Sequence, residues 1–173
     1  QIPNGFIDFD RDRLRFWMIS DEGPKAATED INEDGIEDIF IPGSAGIPST
    51  LLIQNQDGTF DKSIQPMLED DKEANDIAAY FPDLNGDQFP DLIIASGSLE
   101  FPRNDPRYSD RIYLNDGKGN FSKLETAFPP TPSAFILTED WDNDGDLDLV
   151  IGERTVPYAY GIPVGLTFWE NDG

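Results

Sequence analysis

The chain contains no cysteine and no histidine in 173 residues. The first absence excludes a disulfide scaffold and thiol chemistry. Together the two exclude Cys/His zinc sites and any mechanism that relies on a histidine base. Basic residues are scarce as well: 12 Lys and Arg stand against 35 Asp and Glu, a formal charge of −23. A surface of that sign repels phosphate, so nucleic acid and anionic lipid are disfavoured as partners and cations are favoured. No apolar run comes near the roughly eighteen residues that mark a candidate membrane-spanning helix. An initiator Met and a signal-peptide apolar region are also missing, so the chain reads as a processed or excised piece.

What the sequence does contain is enough apolar material to fold. Hydrophobic residues make up 38% of the chain and include 12 Phe, and the length allows one sizeable core.

Three acidic segments superimpose: DINEDGIEDI at 30–39, DLNGDQFPDL at 83–92 and DWDNDGDLDL at 140–149. Each sets an acid or amide at positions one, three, five and nine, followed by an apolar residue. A second series runs out of step with the first, as NQDGTF at 55–60, NDGKGNF at 115–121 and NDG at 171–173, and NGF at 4–6 reads as the same turn entered midway. Cutting before each shared Phe gives units at about 6–59, 60–120 and 121–173. A period of this length signals a propeller, solenoid or array.

Short β-rich runs fill the intervals. EDIFIPG, DLIIASG and LDLVIGE follow the acidic loops; TLLIQ, RIYLN and LTFWE precede the turns; KAAT, DIAAYF and SAFILT precede the loops. No stretch carries sustained helical periodicity. The expected fold is therefore all-β, with about four short strands per unit, the make-up of one propeller blade.

Hard divalent cations take six to eight oxygen ligands, several of them carboxylates. The alternating acids supply such a set. The first loop offers Asp30, Asn32, Asp34 and Asp38 with the Ile36 carbonyl, the second Asp83, Asn85, Asp87 and Asp91 with the Phe89 carbonyl, and the third Asp140, Asp142, Asp144 and Asp148 with the Asp146 carbonyl. Gly35 and Gly145 at position six permit a sharp turn, whereas the second loop has Gly86 at position four and Gln88 at six, so a different turn is expected there. An EF-hand needs a bidentate Glu at position twelve. Here that position holds Ile41, Ile94 and Ile151. About three calcium ions are the expected cofactors.

Combined with the Asn-Asp-Gly turns, the D-x-[DN]-x-D-G-x-x-D-[LI] loops resemble the FG-GAP and VCBS repeats of integrin-like β-propellers, over essentially the whole chain. The stretch DLIIASGSLEFPRNDPRYSDRIYLNDGKGNF, with the third loop and ERTVPYAYGIPV, is similar to secreted bacterial VCBS-repeat proteins related to the ASPIC/UnbV group. The resemblance implies three four-stranded blades with calcium-binding loops in a secreted or cell-surface, extracytoplasmic protein. Propellers of this family usually close a ring of about seven blades, so further blades are expected from a parent chain or from other chains.

The segments 99–110 and 154–165 are longer than GSAGIPST, their counterpart in the first unit. Loops on a rigid scaffold often carry recognition. Phe101, Arg103, Arg107, Tyr108, Arg154, Tyr158 and Tyr160 are therefore the candidates for a ligand surface, with a protein or glycan as the ligand. Trp17, Trp141 and Trp169 read as packing between blades. Glycoside hydrolysis uses a separated carboxylate pair, but nearly every clustered acid here belongs to a metal loop. The expectation is a non-enzymatic scaffold for binding or adhesion, with a carbohydrate-binding lectin or part of a carbohydrate-active lyase or hydrolase as alternatives.

Overall fold

The computed structural model describes residues 6–20, 22–126 and 128–172. They form three antiparallel sheets, each a meander in which every strand pairs with its neighbour in sequence. The first sheet is β1 (Ala27–Glu29), β2 (Asp38–Ile41), β3 (Thr50–Gln54) and β4 (Phe60–Ser63). The second is β5 (Asp76–Tyr80), β6 (Leu92–Ser96), β7 (Arg111–Asn115) and β8 (Phe121–Leu124), and the third is β9 (Ser133–Glu139), β10 (Asp148–Glu153) and β11 (Leu166–Trp169). The sheets match propeller blades of four, four and three strands, so the third differs from the four expected of it. The first and second sheets take their outer strand from the turn that follows the third strand, so the sequence units cut at Phe60 and Phe121 begin on the last strand of the preceding sheet.

Residues 7–11 depart from the β-rich pattern. Asp8–Arg11 is a single helical turn, where units two and three open on β4 and β8. A second short helix, Pro66–Asp70, lies in the linker between the first two sheets and buries Leu68.

Two apolar seams join the sheets. Ile31, Phe40 and Leu51 of the first sheet pack with Ala79, Leu92, Ile94 and Tyr113 of the second, and Leu68 closes this seam. Leu84, Ile93 and Ile112 on the other face of the second sheet pack with Ile136, Leu149 and Ile151 of the third. Lying between two sheets, β6 is buried at every residue, as a near-continuous apolar run should be. Trp169 stands edge-on to Phe128, with ring centroids 5.1 Å apart, against the second seam. Trp141 instead packs on Phe168 of its own sheet, and Trp17 is exposed. Interblade packing therefore holds for one tryptophan of the three.

The meander gives every sheet two distinct ends. The acidic loops join first strands to second, and the Asn-Asp-Gly turns follow the third strands at that same end. At the opposite end lie the two long loops, the linkers and the N-terminal segment. The segments at this second end also carry all the arginines: Arg11, Arg13, Arg15, Arg103, Arg107, Arg111 and Arg154.

Candidate metal centres

The three loops repeat one hydrogen-bond plan. The position-one carboxylate accepts from the backbone N–H at position six: Asp30 from Gly35 at 2.8 Å, Asp83 from Gln88 at 2.8 Å and Asp140 from Gly145 at 3.2 Å. The side-chain oxygen at position three (Asn32, Asn85 or Asp142) accepts from the N–H at position five. The position-five carboxylate (Asp34, Asp87 or Asp144) accepts from the N–H at position seven. Alternate side chains thus fold inward while the backbone wraps round them, and the carbonyls of Ile36, Phe89 and Asp146 lie on the turn so formed.

The same turn is made three times, which corrects the expectation of a different second turn. Positions four and six both take positive φ in every loop: Glu33 and Gly35 at 58° and 85°, Gly86 and Gln88 at 71° and 73°, Asn143 and Gly145 at 63° and 107°. Glycine removes the steric cost of that conformation at one of the two positions. The second loop has merely moved it from position six to position four.

The position-nine acid has a further task. Asp38, Asp91 and Asp148 are buried at the start of a strand. One oxygen of each accepts from the N–H at position two, Ile31, Leu84 or Trp141. The other accepts from the end of the third strand: Asp38 from Gln54 at 2.8 Å, Asp91 from Asn115 at 2.8 Å and Asp148 from Asn171 at 2.9 Å. Strand register agrees, since Ile39, Leu92 and Leu149 pair with Leu52, Tyr113 and Trp169. The residue equivalent to Asn115 and Asn171 is therefore Gln54, not Asn55 as the sequence superposition has it.

Three of the loop carboxylates resist ionisation. Burial pushes Asp38 and Asp91 above the usual carboxylate range; bonds from backbone N–H groups oppose it, and the other loop acids add to it. Asp142 is also raised, by desolvation and by the charges of Asp144 and Asp148. In the third loop Asp140, Asp142 and Asp148 each bring an oxygen within 4.8 Å of the others, a group that does not include Asp144. In the second loop Asp83 Oδ1 is buried without a hydrogen-bond partner. A cation would relieve both features. An all-oxygen donor set suits a hard divalent ion such as calcium, so the residues present fit one.

The long loops at the arginine end are largely satisfied within the molecule. Phe101 and Tyr108 are buried, and the Tyr108 hydroxyl accepts from the Phe101 N–H at 3.0 Å while donating to its carbonyl at 2.8 Å. They pack the loop and offer no open surface. Arg107 forms a fork with Asp105 and lies over the Phe101 ring at 3.9 Å. Arg154 pairs with Glu22 at 2.5 Å, and Arg103 is exposed. Tyr158 and Tyr160 are partly exposed beneath the guanidinium groups of Arg11 and Arg15. The N-terminal segment is thus a third wall of this surface, which the sequence reading missed: Arg11 donates to the Leu99 and Glu100 carbonyls and Arg15 to Thr155 Oγ1.

Comparison with known proteins adds one result, since no curated protein matches the chain. The model of the FG-GAP-like repeat matches twice, over residues 30–94 and 83–151. Each match opens on the first acid of a loop, Asp30 or Asp83, and ends in the strand behind the next loop, at Ile94 or Ile151. That is the loop-to-loop register defined independently by the hydrogen bonds. The two matches together span more than half of the chain, which therefore belongs to the FG-GAP-like repeat family.

Proposed function

We propose that this chain is a calcium-stiffened propeller segment, extracytoplasmic and non-catalytic, that serves as a scaffold for binding or adhesion. The observation that carries the reading is the oxygen cluster of Asp140, Asp142 and Asp148, held by a loop plan that recurs around Asp30–Asp38 and Asp83–Asp91. Three sites follow, one per loop. The acids at positions one, three, five and nine would face the ion, and the position-nine acid also orders the backbone behind it. Within the family, the long loops favour the VCBS branch related to the ASPIC/UnbV group. Recognition of a protein or glycan belongs to the arginine end, where Arg103, Tyr158 and Tyr160 remain accessible.

A native-state ligand stabilises in proportion to the logarithm of its concentration over Kd. Calcium titration by calorimetry should show up to three sites. Extracellular calcium modules bind at about 10⁻⁴–10⁻³ M, so millimolar calcium should raise Tm and chelator should lower it. Identical melting curves in the two conditions, with no heat of binding, would sink the proposal.

A further inference from the structure

Moving the glycine of the second loop from position six to position four sets Gly86 directly after Asn85, the amide at position three. The other loops have Glu33 after Asn32 and Asn143 after Asp142. An Asn followed by glycine exposes its side-chain carbonyl to the next backbone nitrogen, since glycine carries no Cβ to shield that nitrogen.

Hydrogen bonding separates Gly86 from the other described glycines that follow Asn or Asp. In Asp34–Gly35 and Asp144–Gly145 the glycine N–H donates to the position-one carboxylate. In Asp57–Gly58 it donates to the Asn55 carbonyl at 2.8 Å, and in Asp116–Gly117 to Asn115 Oδ1 at 3.1 Å. Among the described residues nothing accepts from the Gly86 N–H. The group under attack differs as well. An ionised carboxylate repels a nucleophile, and the neutral Asn85 amide does not. Asn85 is exposed; its Oδ1 accepts from the Asp87 N–H at 3.0 Å and its Nδ2 donates to Asp87 Oδ2 at 2.9 Å. A side chain bonded to the backbone two residues on spans the peptide between, which holds the Asn85 carboxamide beside the Gly86 nitrogen.

We propose that Asn85 is a site of self-modification, at which the Gly86 nitrogen attacks the side-chain carbonyl and displaces the amide. Gly86 N gives up its proton and bonds to Asn85 Cγ, closing a cyclic imide with the Asn85 main chain. The Cγ–Nδ2 bond breaks, and Nδ2 leaves as ammonia with that proton. Water then opens the imide at either carbonyl. Opening at Cγ gives aspartate, the residue type that the third loop has there in Asp142. Opening at the main-chain carbonyl gives isoaspartate, whose backbone runs through the former side chain and is one carbon longer. Water is the only co-reactant. Either product adds a negative charge beside Asp83, Asp87 and Asp91, so the second loop carries a one-way change of charge in its own sequence.

Neither step needs a cation, so working in chelator keeps the calcium reading out of the test. The folded wild-type chain is held in chelator at mildly alkaline pH and sampled by peptide mapping with mass spectrometry. The Asn85 peptide should gain the mass of an amide-to-acid exchange and split into two products of equal mass, aspartate and isoaspartate. Mapping separates it from Asn4, which also precedes a glycine and lies outside the described residues. Asp34 and Asp144 precede glycines whose N–H is held, and they should form no isoaspartate over the same interval. Gly86→Asn supplies the third loop's residue at this left-handed position, where an added Cβ meets nothing within 4 Å. Asn tolerates that conformation, so the variant should melt like the wild type and lose the reaction. An Asn85 that stays unmodified would overturn the proposal. So would equal conversion in a folded Gly86→Asn chain, or isoaspartate at Asp34 as fast as at Asn85. The last comparison lies within the wild-type sample and decides even where the variant fails to fold.

Discussion

Asn115 donates from Nδ2 to the Ile31 carbonyl at 2.9 Å, joining the turn of the second sheet to the acidic loop of the first. The same side chain donates to the Pro90 carbonyl, accepts from the Gly117 and Gly119 N–H groups, and its backbone N–H donates to Asp91. The amide therefore makes four hydrogen bonds at once, all that its oxygen and NH₂ group can offer. Asn171 repeats the arrangement, reaching Leu84 O at 2.8 Å and Leu147 O at 3.3 Å. Each Asn-Asp-Gly turn thus ties its own acidic loop to the loop of the preceding sheet.

Replacing Asn115 tests this coupling. Asn115→Ala strands two carbonyls and two N–H groups at a buried site, and each unsatisfied group costs about 1–3 kcal/mol. Rearrangement and water will recover part of that, so a loss of about 3 kcal/mol is expected, or about 6–12 °C in Tm for a chain of this size. Asn115→Asp should be at least as harmful, because it buries a charge and removes the donor. Gln54→Ala is the control. It sits at the equivalent position with no preceding sheet among the described residues, and it should shift Tm little. Equal losses at Asn115 and Gln54 would deny the seam its role.

Within one loop, position three and position nine should separate under mutation. Asp142 is exposed and close to like charges. In chelator, Asp142→Asn should leave Tm unchanged or slightly raised; in calcium it should weaken binding at the third loop alone. Asp148 accepts from both Trp141 N and Asn171 N. An amide there offers one acceptor where two are needed and leaves an N–H facing NH₂, at a cost of about 1–3 kcal/mol. Asp148→Asn should therefore destabilise the chain with calcium or without it. Two variants that behave alike in chelator would show that the position-nine acid is only a ligand.

The loops were legible in the sequence because their chemistry is local. Alternating acids, a glycine and a following apolar run lie within ten residues of one another, and so do the turns. What could not be read depends on pairing between strands. The equivalence of Gln54 with Asn115 appears only once Ile39 is known to pair with Leu52 and Leu92 with Tyr113. A polar link at the other end of each seam was hidden for another reason: its members exchange identity. Ser49 Oγ donates to Asp76 Oδ2 at 2.7 Å in the first seam, while Ser133 Oγ donates to Asp110 Oδ2 at 2.7 Å in the second. Ser49 and Asp110 stand at one strand position, Asp76 and Ser133 at another, so a one-dimensional comparison finds no shared residue at either. Tyr108 and Phe101 misled for a third reason. An aromatic in a long loop has the composition of a ligand surface whether it faces solvent or packs the loop itself.

The Asp110–Ser133 link makes the second seam sensitive to pH. Asp110 is buried, and desolvation raises it to about 7, although Ser96 N–H, Ser133 Oγ and the nearby Arg111 favour its charged form and Asp76 opposes it. In the unfolded chain a carboxyl of this type titrates near 4. The native state therefore holds this proton more tightly than the unfolded state. The resulting stability is fully present below about pH 4 and is lost as pH rises through about 7, for a total of order 4 kcal/mol by linkage. Asn at this position keeps an oxygen for Ser96 N–H and supplies NH₂ to Ser133 Oγ, without a titrating proton. In chelator, which removes the loops' own calcium dependence, Asp110→Asn should melt close to the wild type at pH 5 and above it at pH 8. The other carboxylates titrate in both proteins and cancel in the difference. A Tm difference between variant and wild type that stays constant from pH 5 to pH 8 would show that Asp110 does not change protonation in the folded chain over that range.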